Sequence, residues 1–358
     1  MNLRPLIPGR RDIPAPLDYR GVGGKGDTDD SEGLQKWLDD VAITGVGRGA
    51  AGTYGTLKRV TATSGRVIGA GARAFTICKL PGFPPDQQLL TNRNITTGAP
   101  IDRDIGFEHC GFKGLPDDES VTVQLVGFAG VSDPHIHRCL FANHRYIGLS
   151  TEACYRPRIT DNELTDFGHR TPVERSARVF QYEGGAALYM WENGGAFNIL
   201  PWVTGNHIHD CEWIGLSIQG ERGHVTDNTF ERLYEADIFG AFTIGVIHGN
   251  ISKDVWVKDG SGHTETGGVL TNMFGNVMVG HDLAGIWLTN PEEVLVAINI
   301  VSAINQKKGL QPKDLSAAIM TRTTTGKPLN VQLVYNMVDN LKGGAKYLLA
   351  PGATAAGM

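Results

Sequence analysis

The chain has 358 residues, a formal net charge of −5 and 47 glycines. No Lys/Arg cluster is dense enough for nucleic acid or an anionic membrane, so neither partner is expected. No apolar run reaches the length of a membrane span, and Met1-Asn-Leu-Arg-Pro lacks a signal-peptide core, so synthesis in the cytoplasm without Sec export is expected. Association with a virion and release by lysis both fit that expectation. The five cysteines are odd in number and form no CxxC pair, which favours buried free thiols.

The first element in chain order is a short helix. Leu34, Trp37, Leu38 and Val41 follow i, i+3, i+4, i+7, which predicts an amphipathic helix over 31–42. Asp29 or Ser31 is placed to cap it, with Glu32 completing a capping box. A solenoid end exposes unpaired backbone, and this helix is the natural lid.

Downstream, asparagine recurs with apolar residues at fixed offsets. The units read Ile159-Thr-Asp-Asn162, Val203-Thr-Gly-Asn206, Val225-Thr-Asp-Asn228, Ile247-His-Gly-Asn250, Met273-Phe-Gly-Asn276, Val296-Ala-Ile-Asn299 and Leu333-Val-Tyr-Asn336. The step is 22 from 206 to 228 and from 228 to 250, 26 from 250 to 276 and 23 from 276 to 299. Cys139 takes the same slot 23 residues before Asn162, and Cys110 sits in the slot before that. Leu216, Ile238 and Ile286 mark a second apolar element ten residues after their asparagines. Short alternating runs read as strands, and a fixed period of this size marks a solenoid. The expected fold is all-β: a right-handed, single-stranded parallel β-helix with a short N-terminal capping helix. An inward asparagine repeated on stacked coils hydrogen-bonds to its own copies. The long steps, 162 to 206 and 299 to 336, predict inserted loops near 165–200 and 305–330. The expected organisation is an arm and capping helix over 1–45, the β-helix over 46–345 and a tail over 346–358.

The stretch Gly23-Gly-Lys-Gly-Asp27-Thr-Asp-Asp30, followed by Leu34-Gln35, resembles the GAxGDGxTDDTxAIQxA opening of the pectate-lyase-like β-helix superfamily. Gly52-Thr53-Tyr54 is similar to the PAGTY strand that follows it there. One residue is missing between Asp27 and Thr28, and Ala50-Ala51 replaces Pro-Ala. The resemblance implies the parallel β-helix fold, found in phage tailspikes and polysaccharide-processing enzymes, and gives these aspartates cap and turn roles. It also implies a parallel homotrimer, with the small apolar Leu348–Met358 segment lying against a neighbour.

Offsets from the ladder asparagine gather a candidate site. Asp210 and Asp254 lie at +4, Glu212 and Asp282 at +6, Glu235 at +7 and Asp237 at +9. These residues are expected on one outer surface, about 5 Å apart on adjacent coils and about 10 Å two coils apart. Those separations span the ranges of retaining and inverting glycosidases. The expected catalytic carboxylates are Asp210, Glu212, Glu235 and Asp254. Trp213, Tyr234 and Trp256 are the expected sugar platforms, with Asp237, Arg232 and Asp282 beside them. A solvated acidic face is the competing reading. His207/His209 and His135/His137 form H-x-H pairs, but two ligands do not make a metal site, and no metal or cofactor is expected. Arg222 and Arg232 keep a lyase or epimerase open. The sequence thus points to a tailspike-like protein that binds, and as an enzyme degrades, an extracellular or capsular polysaccharide. A non-catalytic receptor-binding or structural spike is the alternative.

Overall fold

The computed structural model describes residues 15–92, 102–115, 123–168, 186–191, 195–233, 236–255, 261–266, 271–281, 284–289, 293–302, 317–323, 330–339, 345–349, 351 and 353–356. Three long sheets run the length of the molecule. Sheet I has 12 strands, from Val46–Gly49 to Ala353–Ala356. Sheet II has 11, from Gly52–Thr56 to Met337–Asp339. Sheet III has 12, from Val60–Thr61 to Ala345–Leu348, including the side strand Asn198–Ile199. One coil contributes one strand to each sheet, as in Trp202–Thr204, His207–Cys211 and Ile214–Glu221. Each strand pairs in parallel with its counterparts one coil before and after. The result is a right-handed parallel β-helix.

Register explains the core. Val203 aligns with Val225 and Ile247, Ile208 with Phe230, and Leu216 with Ile238. All are buried, so apolar columns fill the interior. The coil from 162 to 206 keeps its sheet III strand, Ala186–Met190, and the coil from 299 to 336 keeps Ala317–Arg322.

The ladder runs between sheets I and II. Each asparagine amide donates to the Oδ1 of the next: 162 to 206, 206 to 228 and 228 to 250 at 2.9 Å, then 250 to 276 and 276 to 299 at 3.0 Å, and 299 to 336 at 2.9 Å. The same Oδ1 accepts the backbone N–H of the preceding asparagine. The second amide proton reaches a main-chain carbonyl in the preceding unit, such as Ile159 O from Asn206. A primary amide in this slot therefore has its hydrogen-bonding capacity met without water. Cys139 continues the column, its N–H donating to Asn162 Oδ1 at 2.9 Å. The thiols of Cys110 and Cys139 turn to backbone carbonyls instead, and all five cysteines are free. Burial pushes the Cys154 thiol up to about 12, so it is inert at neutral pH.

The chain enters each ladder slot through a left-handed residue. Asp161, Gly205, Asp227, Gly249, Gly275, Ile298 and Tyr335 all have positive φ. Glycine and aspartate suit that conformation, whereas a β-branched residue is strained there. Ile298 is 65% exposed, so no packing offsets its strain.

The capping helix spans Ser31–Thr44, two residues longer than expected, and ends at Gly45 in the left-handed region. Leu34, Trp37, Leu38 and Val41 are buried, and the Trp37 ring meets Phe75 at 5.8 Å. Asp30, not Asp29 or Ser31, occupies the N-cap position. Its carboxylate instead accepts the Gly23 and Gly24 N–H groups and organises the glycine turn. Asp29 accepts from Ser31 and Leu57, tying the helix start to the first coil. Glu32 forms no capping box; it points to Lys58 at 3.7 Å. At the other end, Ala353–Ala356 pairs with Asn330–Val334, so part of the expected tail forms the last strand of sheet I.

Two substitutions test this account. Asn228→Leu is expected to destabilise the fold by about 1–3 kcal/mol in urea unfolding, because both adjacent amides lose a partner. Ile298→Gly is expected to stabilise it by about 0.5–1 kcal/mol, as relief of left-handed strain exceeds the added chain entropy. A lowered urea midpoint for Ile298→Gly refutes the strain argument.

Candidate functional site

The outer face of sheet II carries an ion network. Glu163, His207, Thr229 and Ile251 form one outward column. Thr165, His209, Glu231 and Lys253 form the next. Asp210 sits beyond them and is gripped by Arg232, with Nε–Oδ1 at 2.6 Å and Nη2–Oδ2 at 2.7 Å. His209 Nδ1 lies 2.6 Å from the same carboxylate, and Arg232 reaches on to Glu231 at 3.0 Å. Arg73 holds Glu163 with contacts of 2.7 Å. The Arg232 hydrogen bonds hold the Asp210 carboxyl down at about 2, against the opposing effect of burial. Asp210 is therefore a fixed anion, unsuited to donate a proton near neutrality.

The other expected site residues part company here. Asp237, expected on the outer surface, is fully buried in the sheet III strand Ala236–Phe242, and its Oδ1 accepts its neighbour Ile238 N–H. It lies 4.0 Å from the buried His281 Nε2, which also contacts Ser252 Oγ at 2.9 Å. Both contacts fall on one ring nitrogen, so this is a core polar cluster and not a relay from Asp through His to Ser. Glu212 and Trp213 sit in the bend between sheets II and III, with the Trp213 ring against Gly168. Asp254 lies on the strand Ile251–Val255, its side chain outside the described residues. Tyr234, Glu235, Trp256 and Asp282 lie outside them altogether. Among the described residues no group of His, Cys, Asp and Glu is gathered for a metal.

Sheet III presents a different surface. Tyr189 and Trp191 lie on one strand face, their rings 5.7 Å apart and 8° from parallel. Phe239 continues the stack, 6.4 Å from Trp191 at 7°. Trp191 Nε1 donates to Ser217 Oγ at 2.6 Å, which fixes the indole plane. Tyr189 and Phe239 pack on the apolar patch formed by Ala186, Ile214 and Ala236. One coil earlier stands Glu152; the following N–H, that of Ala153, donates to Trp191 O. Gln88 donates to Gln124 at 2.7 Å and Gln124 to Glu152 at 3.1 Å. Burial raises the Glu152 carboxyl above the ordinary range, opposed by a Ser150 hydrogen bond. Burial, with the Glu152 charge, also raises Tyr146. Ordered rings beside a carboxyl whose pKa is raised offer a stacking surface and a candidate acid.

Neither a protein-family model nor a curated protein matches the chain. Solved structures do. The chain aligns with PfbA, a surface adhesin of Streptococcus pneumoniae, at 11% identity and a TM-score of 0.68, over 94% of this chain and 93% of that one. The chain shares the parallel β-helix fold. The A-module of the mannuronan C-5 epimerase AlgE4 of Azotobacter vinelandii aligns at 15% identity and a TM-score of 0.53, over 96% of this chain and 100% of that one. The enzymatically active domain of tailspike protein 2 of bacteriophage CBA120 aligns at 10% and 0.55, over 97% of this chain and 47% of that one. Identities this low establish the fold and leave chemistry to the site.

Asp210, expected on an outer surface, is exposed on the strand His207–Cys211, whereas offset counting missed Glu152 and the ring stack. The pairing of Leu149 with Leu188 and of Ser150 with Tyr189 crosses the long 162–206 step, where counting from the asparagine loses register. The Asp210–Arg232 pair predicts a pH signature. The folded pKa of about 2 lies below the unfolded value of 3.8, so its stabilisation is full above 3.8 and is lost as pH falls towards 2. Wild-type protein is expected to lose more stability than Asp210→Asn across that window in urea titrations. Parallel curves for the two proteins refute it.

Proposed function

We propose that the chain binds an extracellular or capsular polysaccharide along the outer face of sheet III. The observation that carries this reading is the near-parallel stack of Tyr189, Trp191 and Phe239 on a rigid sheet. Sugar rings present apolar C–H faces, and prearranged aromatics receive them with little ordering cost. The fold neighbours support the reading, since they include a surface adhesin, a mannuronan epimerase and a tailspike domain named as enzymatically active. A tailspike-like role in a virion fits the same geometry.

Depolymerisation is the second reading, favoured by Glu152. A carboxyl raised by burial beside the ring stack is suited to protonate a glycosidic oxygen. Asp210 fits the role less well, because Arg232 holds it ionised. Trp191→Ala is expected to weaken binding to a responsive member of a capsular polysaccharide panel about tenfold, measured by calorimetry. Glu152→Gln is expected to lower the release of reducing ends by about 10²–10⁴ with binding retained. Products absorbing in the ultraviolet as unsaturated uronates would mark elimination instead of hydrolysis. Full binding by Trp191→Ala across the panel removes the sheet III reading.

We also propose a homotrimer. The last coils expose Ile300, Tyr335 and Met337 at 41%, 67% and 66%, an apolar strip beside sheet II that association would cover. Light scattering is expected to return three times the 38.6 kDa chain mass; a mass near 38.6 kDa at micromolar concentrations refutes it.

A further inference from the structure

The outer face of sheet I has the opposite sign to the chain as a whole. Its successive coils present Arg48, Arg66, Arg103, His135, Arg158, Trp202 and His224. Arg66, Gly106, His135, Arg158, Trp202 and His224 share one column. Arg103 lies in the neighbouring column, which continues through Ser132 to Tyr155. Arg48, Arg66, Arg103 and Arg158 are exposed, and among the described residues none of them has an ion-pair partner. The carboxylates nearby are mostly engaged. Glu108 faces His135 at 3.8 Å, Asp161 faces His137 at 3.6 Å and Arg138 at 4.0 Å, and Asp133 holds Arg156 at 2.7 Å. Arg66 and Arg103 line a cavity of about 500 Å³ together with Gly45, Ser64, Gly65 and Asp104. Beyond the arginines, Trp202 is 46% exposed and stacks on His224 at 4.9 Å, and Tyr155 is 41% exposed beneath the Arg156 guanidinium.

We propose that this face is a second ligand lane, which takes an acidic polysaccharide whose repeat carries a carboxylate. The inference stands apart from the sheet III reading, because it rests on other residues of another sheet. A guanidinium presents a planar fork that matches a carboxylate. Unpaired forks on a net-negative protein draw an anionic polymer to this face and away from the rest of the surface. Trp202 and Tyr155 add flat apolar surface for the sugar rings between charges. Charge spacing selects the polymer. Arg66 and Arg158 lie three coils apart, about 14 Å along the axis. That spacing suits the sparse charge of a glycan, whereas a nucleic acid strand places a phosphate about every 3.4 Å. Gly106 helps to form the lane: a side chain there would strike Arg66, and its absence lets the Arg66 stem lie across the sheet.

The test is calorimetric titration of the full chain with short oligogalacturonate and hyaluronan fragments, neutral dextran fragments and a single-stranded oligonucleotide. The proteins are wild type, Arg66→Gln/Arg158→Gln, Arg66→Lys/Arg158→Lys, Trp202→Ala and Trp191→Ala. At least one carboxylated fragment is expected to bind wild type, more weakly as salt is added. The Gln double variant and Trp202→Ala are each expected to weaken that binding about tenfold or more. The Lys double variant, which keeps charge but loses the fork, is expected to fall between them and wild type, and it replaces the Gln variant if the latter melts early. Lys253→Gln, an added control on the outer face of sheet II outside both surfaces, is expected to bind these fragments as wild type does. The lane is overturned if the double variants bind like wild type, if no carboxylated fragment binds, or if the oligonucleotide binds more tightly than every glycan. Loss of glycan binding in Trp191→Ala alone would remove the lane and leave the sheet III reading intact. Loss in the Arg variants alone, with Trp191→Ala unaffected on every polysaccharide tested, would do the reverse.

Discussion

A single buried amide column keys the coils of this protein to one another. Each ladder asparagine links its neighbours through one oxygen that accepts twice and one nitrogen that donates twice. A one-residue slip in any coil would turn every side chain of a strand to the other face and leave two amides buried without partners. The ladder therefore fixes register, and register fixes which side chains share an outward column. The surface chemistry is downstream of that interior constraint.

Once register is set, the sheets carry separate chemistries. Sheet II neutralises its charges internally, as the Asp210–Arg232–Glu231 chain of contacts illustrates. Sheet III gathers aromatic rings over alanines and places a half-buried carboxyl beside them. Sheet I leaves guanidinium groups without partners. These contrasts follow from what each column repeats. An alternation of acid and base on successive coils closes into ion pairs about 5 Å apart, whereas a column of one sign stays open.

Much of this was legible in the residues. Asn206, Asn228, Asn250, Asn276 and Asn299 lie at regular steps, and nothing but a stacked coil explains an amide at that stride. The helix lid was legible because Leu34, Trp37, Leu38 and Val41 keep one face. Direction within a coil was harder. Asp237 reads as an outward carboxylate by offset, yet Leu233 ends a strand of sheet II and Ala236 begins one of sheet III, and parity does not carry from one strand to another. Glu152 and Trp191 are 39 residues apart by number, and only backbone pairing makes them neighbours. The cap position went to Asp30 because its carboxylate is needed by two glycine N–H groups, a tertiary demand that helix-start signals do not contain.

The coil-on-coil pairing has a mechanical side. Among the described residues, each strand is bonded to strands one turn away in sequence and to none further off. A force applied between the two ends of the solenoid along its axis therefore meets one turn at a time, in peeling geometry, and the peak force is set by the weakest turn whatever the total length. A load applied across the axis, as from a polymer held on one flank, is shared by every turn it touches. A rod of this construction yields progressively when pulled end to end and stands stiff when gripped along its side.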